Sequence, residues 1–220
     1  MLARILRWTR NVAAAYAALI ILLSILYAFI PPVSTLMLWQ WVRGNDIAYE
    51  PVALENISPL MQQAVIASED GRFCGHHGVD WQAVQQVIEE TEDGKPARGA
   101  STIPMQVSKN LFLWHGRSYI RKALEIPITL YLDLVWSKRQ MMEVYLNIAE
   151  FGDGIFGVEA ASWHYFNTSA AKLNMREAAM LAVTLPAPTS RNPDSRTNFY
   201  QRQVWRIQTL IRKGINSSCL

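Results

Sequence analysis

A run of uncharged residues near the start of the chain constrains its fold more than any other feature. Residues 12–30 carry no charge over 19 positions, and Pro31 and Pro32 follow at once. This length matches the ~17–25 residues of a membrane-spanning helix. A cleaved signal peptide has an apolar core of only about 7–15 residues and a small-residue cleavage site, and no clear Ala-x-Ala site occurs here. The run therefore predicts a retained transmembrane helix over 12–30.

The charges that precede this run predict its orientation. Arg4, Arg7 and Arg10 lie before it, and residues 1–11 contain no acid. Because Lys and Arg are enriched on the cytoplasmic side of membrane spans, we expect a cytoplasmic N-terminus and a main domain on the outer side, in a periplasm. The same basic flank disfavours the alternative interpretation, which is a buried core helix.

The chain is long enough, at 220 residues, for one membrane anchor and one compact domain. Helical spacing of apolar residues dominates after the anchor and strand signals are nearly absent, so we expect a mainly α domain. The predicted divisions are a cytoplasmic basic tail (1–11), the transmembrane helix (12–30), a membrane-proximal segment and linker (31–56), the main domain (57–213) and a C-terminal tail (214–220).

Charge and cysteine content exclude some classes of function. The net charge is +3, and the three N-terminal arginines account for it, because residues 31–220 hold 18 basic and 18 acidic side chains. A neutral domain argues against a nucleic-acid-binding protein, so any anion site must be local. Cys74 and Cys219 lack the spacing of metal ligands. A disulfide between them is possible in an oxidising compartment, but the sequence does not establish it.

Two adjacent carboxylates close the first helix that is predicted in the main domain. Ser58 and Pro59 have the residue types of an N-cap and a first helical position, and apolar spacing carries the helix to Glu69. The negative end of the helix dipole would raise the pKa of a carboxyl there, so that it can accept a proton near neutral pH. The alternative is that Glu69 and Asp70 are solvated charges at a helix end.

A cluster of cations follows in an otherwise balanced domain. Lys109, Arg117, Arg121 and Lys122 lie within 14 residues, a density that suits a pyrophosphate ligand. Arg121 and Glu125 are four residues apart on one helical face. The alternative for this pair is a surface ion pair, worth a few tenths of a kcal/mol.

Local signals set the expected helix boundaries around this cluster. Ser101 is expected to be the N-cap of the helix that carries Lys109, and a Gly-Ser-Thr helix start of this kind can bind anions. Pro127 should end or kink the following helix. The apolar residues 128–136 are then expected to form a central buried helix.

Four short segments between Glu69 and Asn147 carry a resemblance to a known family. They are Glu69-Asp70-x-x-Phe73-x-x-His76-x-Gly78, Gly99-x-Ser101-Thr102-Ile103-x-x-Gln106 followed by Lys109-Asn110, Arg121-Lys122-x-x-Glu125, and Lys138 with Glu143-x-Tyr145-Leu146-Asn147. In sequence and in order they resemble the four motifs of the family 51 peptidoglycan glycosyltransferases. One anchor and one domain are similar to the monofunctional members. The chain departs from the usual pattern at Pro104, Met105 and Leu124.

The resemblance implies a lysozyme-like helical glycosyltransferase domain that polymerises lipid II into glycan strands at the outer face of the bacterial inner membrane. Glu69 occupies the position of the general base, which deprotonates the acceptor 4-hydroxyl for an inverting attack that releases undecaprenyl pyrophosphate. Glu125 occupies the second essential carboxylate position. The substrate-binding positions implied are Asp70, Phe73, His76, Gly78, Ser101, Thr102, Gln106, Lys109, Asn110, Arg117, Arg121 and Lys122.

Partners and competing functions follow from the same resemblance. It implies lipid II, the growing glycan strand and the bilayer as partners, and it leaves open transpeptidases or other cell-wall synthesis proteins. No cofactor is required, and a divalent cation at the pyrophosphate remains open. A glycan hydrolase that uses Glu69 and Glu125 is one alternative, although hydrolysis of finished glycan releases no phosphate for the cations to bind. A non-enzymatic membrane scaffold is the other.

Overall fold

The computed structural model describes residues 1–92, 99–116 and 118–220. The chain divides into two compact units, Met1–Pro32 and Val33–Leu220.

The first unit is a single long helix, α1 (Leu2–Leu26). In the described residues it is the one helix that is long and apolar enough to cross a membrane, with a mean hydropathy of 1.7. It begins ten residues before the predicted span because no glycine or proline interrupts residues 2–26, and it ends at Leu26, before the turn that leads to Pro31.

The second unit is built mainly from α-helices, as the sequence predicts. In its described part they are α2 (Thr35–Val42), α3 (Pro59–Glu69), α4 (Trp81–Glu92), α5 (Ile103–Phe112), α6 (Tyr119–Val135), α7 (Lys138–Ile148), α8 (Val158–Phe166), α9 (Met175–Thr184) and α10 (Asn198–Lys213). Short 3₁₀ turns lie at Leu54–Asn56, Phe73–Gly75 and Ala170–Lys172.

Polar N-cap residues explain where most of these helices begin. A side-chain oxygen accepts a hydrogen bond from a backbone N–H of the first turn at Ser34, Thr102, Ser118, Ser137, Asn174 and Thr197. The prediction of Ser101 as a cap is wrong by one residue. Thr102 Oγ1 accepts from the Met105 N–H at 3.3 Å, whereas Ser101 Oγ accepts from Lys122 Nζ at 2.9 Å.

Helix α6 differs from expectation in two ways. Pro127 does not end it, and the helix continues to Val135 while it packs against α5. The predicted central buried helix over 128–136 is only half buried. Thr129 and Leu132 are fully enclosed, but Leu134 is 84% exposed, because only one face of α6 meets the core.

A small sheet accompanies the helices. The short strands β2 (Glu150–Gly152) and β3 (Ile155–Phe156) form an antiparallel hairpin, and β1 (Ala48–Tyr49) pairs with β3 in parallel. Gly157 then turns the chain into α8 with φ of +84°, and a Cβ there would meet the Asn147 carbonyl oxygen at 2.9 Å. Strands of two or three residues leave too little alternation for sequence reasoning to detect.

Two helix packings place the functional segments together. Helix α3 lies against α9 and α10, and α5 lies between α6 and α7. Met61 and Val65 of α3, and Ile103 and Val107 of α5, are fully buried. A hydrogen bond from Gln106 of α5 to Glu69 joins the C-terminal end of α3 to α5.

A disulfide joins Cys74 to Cys219, with Cα atoms 5.6 Å apart and a sequence separation of 145. The sequence allowed this bond without establishing it. It ties the C-terminal tail to the turn that follows Glu69 and Asp70.

Candidate active site

Glu69 is the last residue of α3, and its carboxylate is held by two hydrogen bonds. Ser68 Oγ lies 3.0 Å from Oε1, and Gln106 Nε2 of α5 donates to Oε2 at 2.9 Å. Tyr145 of α7 in turn donates its hydroxyl to Gln106 Oε1 at 3.2 Å. A chain of side chains from three helices thus fixes the orientation of one carboxylate.

Burial raises the pKa of the Glu69 carboxyl above its usual range. The hydrogen bonds from Gln106 and Ser68, and the charges of Arg191 and Lys109, oppose this rise without cancelling it. The sequence predicted the direction correctly, but removal from water is the main cause and not the helix dipole. Glu69 is consequently a carboxylate that can take up a proton closer to neutral pH than an exposed glutamate can.

Glu125 is a buried carboxylate with two cationic partners. It is 2% exposed, and its two oxygens accept from Arg121 Nη1 and Lys122 Nζ, each at 2.6 Å. Arg121 Nε also donates to the Gly116 carbonyl at 3.0 Å. The Arg121–Glu125 ion pair is therefore largely buried and is not a surface contact. Both oxygens of the Glu125 carboxylate are used to orient the two cations.

Lys109 of α5 carries a positive charge that interacts with both carboxylates, Glu125 and Glu69. Burial lowers the pKa of its ammonium, Glu125 opposes that effect, and the positive charges of Arg121 and Lys122 add to it. Within the described part of the chain, this ammonium has no ion-pair or hydrogen-bond partner. Three cations around one glutamate leave a local charge of about +2, which favours an anionic ligand.

Two cavities lie beside these groups. The lysine cavity, of about 210 Å³, is lined by Ser34, Leu36, Gln106, Lys109, Asn110, His115, Tyr145, Ile148, Ala149, Glu150, Phe156, Leu185, Pro186 and Pro188. The glutamate cavity, of about 220 Å³, is lined by Glu69, Asp70, Gly71, Arg72, Asp80, Ala83, Gln86, Gly99, Ala100, Ser101 and Thr102. Glu69 lines one cavity, and its hydrogen-bond partner Gln106 lines the other.

Asp70 holds the turn after Glu69 against the start of α5. Its Oδ2 accepts a hydrogen bond from the Ile103 N–H at 3.0 Å, and both of its oxygens lie within 3.0 Å of His76 Nε2. Thr102 Oγ1 donates to the Gly78 carbonyl at 2.6 Å, which adds a second tie between the same two segments. These four predicted residues come together, and their contacts fix the position of Glu69 relative to α5.

The remaining predicted residues are distributed around this centre. Phe73 is fully buried in the core, and Lys138 Nζ lies 5.0 Å from the centre of its ring. Ser101 and Lys122 meet at the rim of the glutamate cavity, and Asn110 lines the lysine cavity. Arg117 lies outside the described residues, so its predicted role stays a prediction.

Glu143 and Asn147 of α7 hold the segment before α3 in place. Glu143 Oε2 accepts from the Leu54 N–H at 2.8 Å, and Asn147 exchanges hydrogen bonds with the backbone of Val52 at 2.8 and 2.9 Å. Through these contacts the fourth sequence motif fixes the backbone at Val52 and Leu54, which leads into α3.

Sequence reasoning assigned no role in the site to three residues that influence it. Burial, together with the charges of Glu69 and Asp70, raises the pKa of Tyr145 well above its usual range, so that it remains a hydroxyl donor. Burial, with Lys109 and Arg121, lowers the pKa of His115 in the lysine cavity. Arg191 acts on Glu69 from a proline-rich segment after α9, and no local pattern connected the two.

No group of three or more His, Cys, Asp or Glu side chains that could hold a metal ion occurs in residues 1–92, 99–116 and 118–220. The divalent cation at the pyrophosphate stays a prediction.

The arrangement combines a proton acceptor with a fixed positive region. A carboxylate with a raised pKa is suited to general-base catalysis. Preorganised cations stabilise negative charge that develops on a leaving group. The site thus fits attack by a hydroxyl with departure of an anionic group.

Comparison with known proteins agrees with this arrangement. The sequence model of the family described as "Transglycosylase" matches residues 38–212. The chain is 50% identical to the biosynthetic peptidoglycan transglycosylase of Brucella suis biovar 1 (strain 1330), over 97% of this chain and 99% of the relative. It is 53% identical to the protein of that name from Agrobacterium fabrum, over 84% and 81%, and 55% identical to the one from Rhizobium meliloti, over 76% and 70%. The chain belongs to the transglycosylase family, whose lysozyme-like helical domain it shares.

Proposed function

We propose that this protein is a peptidoglycan glycosyltransferase that polymerises lipid II into glycan strands. The observation that supports the proposal best is the position of Lys109, which interacts with the proton-accepting Glu69 and with the Glu125 cluster at once. A reaction between two sugar substrates needs a base next to a phosphate site, and these residues supply both.

Glu69 acts as the general base. Its carboxylate removes the proton from the acceptor GlcNAc 4-hydroxyl, and the resulting oxygen attacks the anomeric carbon of the donor MurNAc. The bond between that carbon and the pyrophosphate oxygen breaks, and the configuration inverts. Ser68 and Gln106 keep the carboxylate aimed while its charge changes.

Lys109, Arg121 and Lys122 bind the donor pyrophosphate and stabilise the charge it gains when undecaprenyl pyrophosphate leaves. Glu125 is a positioning residue in this proposal, because both of its oxygens are used to orient Arg121 and Lys122. The glutamate and lysine cavities, on either side of the Glu69–Gln106 hydrogen bond, give room for one sugar substrate each.

Helix α1 anchors the enzyme in the bacterial inner membrane, with the N-terminus in the cytoplasm and the catalytic unit in the periplasm. Lipid II leaves a bilayer at a cost of ~0.8 kcal/mol per buried CH₂, so an enzyme that uses it must work at the membrane surface. The length and composition of α1 and its basic residues support this location.

The hydrolase alternative is weaker than the transferase. A hydrolase needs two carboxylates that can act on water and on the leaving group. Glu125 is 2% exposed and bound by two cations, so it is not free for either task. A scaffold without activity would not need a carboxylate held by three helices.

The test is polymerisation of lipid II by the full chain in detergent or vesicles. We expect Glu69→Gln to reduce the rate by about 10²–10⁴-fold, the usual contribution of a general base. Glu89→Gln is the matched control, because Glu89 lies on the exposed side of α4. Full activity of Glu69→Gln would refute the proposed base, and shortening of finished glycan by the wild type would favour a hydrolase.

A further inference from the structure

A third cavity lies next to the active site and has no role in the mechanism above. This arginine cavity, of about 200 Å³, is bordered by the ends of α3 and α9 and by one face of α10. Its lining residues are Ala67, Ser68, Val183, Pro186, Arg191, Gln203, Arg206 and Ile207.

The cavity is positively charged and has no carboxylate in its lining. Arg191 donates Nη1 to the Val183 carbonyl at 3.2 Å, and its guanidinium lies 5.7 Å from the centre of the Phe199 ring. Among the described residues, neither Arg191 nor Arg206 forms an ion pair, although the charge of Arg191 acts on Glu69. A guanidinium has five N–H donors, so most of those that border this cavity are available to a ligand.

Two residues connect this cavity to the reacting groups. Ser68 lines it and lies within hydrogen-bonding distance of the Glu69 carboxylate, at 3.0 Å. Pro186 lines both the arginine cavity and the lysine cavity. The arginine cavity therefore adjoins the lysine cavity at Pro186 and the Glu69 carboxylate at Ser68.

The shape and charge of the cavity select a class of ligand. Guanidinium groups bind carboxylates in a planar, bidentate geometry. The apolar side chains of Val183 and Ile207 suit the carbon atoms next to such a group. In the proposed function the pyrophosphate is bound at Lys109 and Arg121, so the arginine cavity is open to a second anionic group of the substrate.

We propose that Arg191 and Arg206 bind a carboxylate of the peptide that the MurNAc sugar of the substrate carries. This inference rests on the proposed function, because it needs lipid II or the growing strand at Glu69. The subsite would select substrates by their peptide and would position the sugar relative to the base. It acts on binding and leaves the chemical step to Glu69.

The test compares lipid II with its peptide carboxylates free against lipid II with those carboxylates amidated, both with the same pyrophosphate. For the wild type we expect KM to rise about tenfold on the amidated substrate, because a charge-assisted hydrogen bond is lost. Arg206→Gln should show that higher KM, with kcat retained, on the free-carboxylate substrate. It should show no further loss on the amidated one.

Two further variants make the result decisive. Arg206→Lys should restore part of the affinity for the free carboxylate, because it keeps the charge. Arg212→Gln, on the same helix and outside the cavity, should behave as the wild type. If Arg206→Gln loses activity equally on both substrates, or loses none on the free-carboxylate substrate, the subsite is refuted. A wild type that polymerises neither substrate would instead refute the proposed function.

Discussion

At the scale of single residues, the site depends on a carboxylate kept in an environment that disfavours its charge. Burial raises the pKa of Glu69, while Gln106 and Ser68 limit that rise through hydrogen bonds. The folded state therefore holds the Glu69 proton more tightly than the unfolded state does. Stability that Glu69 gives at acidic pH is lost as the pH rises from the unfolded pKa through the folded pKa.

We predict that Glu69→Gln is more stable than the wild type at neutral pH, by about 1 kcal/mol, as is common for substitutions that relieve active-site strain. The amide can keep both hydrogen bonds, since its oxygen accepts from Gln106 and its nitrogen donates to Ser68. Thermal unfolding should show a higher Tm at pH 7.5, and the difference should shrink toward pH 4. A lower Tm of the variant at both pH values would contradict a charge-based penalty.

A second prediction concerns the pH dependence of the rate. Gln106→Leu removes the hydrogen bond that holds the pKa of Glu69 down, so that pKa should rise further. The acidic limb of kcat/KM should move to higher pH. Gln85→Leu, on the exposed side of α4, is the control. An unmoved limb would mean that another group controls the profile.

At the scale of elements, local sequence signals predicted where α3 begins and ends. Its observed limits, Pro59 and Glu69, agree with the predicted ones. Ser101 and Thr102 are both good caps, and tertiary contacts distinguish them, with Ser101 bound to Lys122 and Thr102 to the Gly78 carbonyl. The influence of Arg191 on Glu69 is also tertiary, and sequence spacing alone does not predict it.

Asp70 connects two elements, and its removal should affect both. Asp70→Ala leaves the buried Ile103 N–H and the His76 ring without a partner. We expect a loss of roughly 2–3 kcal/mol in the free energy of unfolding, measured with urea. The folded fraction should also polymerise more slowly, because α5 carries Gln106 and Lys109.

Asp46→Ala is the control for this experiment, since Asp46 is exposed before β1. Equal stability of the Asp46 and Asp70 variants would show that the turn after Glu69 is held by other contacts, such as the bond from Thr102 to Gly78.

At the scale of the whole molecule, the Cys74–Cys219 bond closes a loop within the second unit between residues that are 145 apart in sequence. In the chain-entropy description, a loop of that size stabilises the folded state by about 5 kcal/mol, at the upper end of the usual range for disulfides. The bond also covalently links the C-terminal tail to the turn beside the active site.

Cys219→Ser should therefore lower Tm by several degrees and make it insensitive to dithiothreitol. The wild type treated with dithiothreitol should unfold at the same temperature as the variant, if the bond is the whole cause. A wild-type Tm that does not change on reduction would contradict this role.

The same bond imposes an order on the biogenesis of the enzyme. Cys219 can reach Cys74 only after helices α4 to α10, which lie between them, have been synthesised. The turn beside Glu69 is therefore locked late, once the rest of the second unit is available to fold. With the proposed periplasmic location, cells that lack a periplasmic thiol oxidase should accumulate an enzyme with a loosened catalytic turn, even at normal expression.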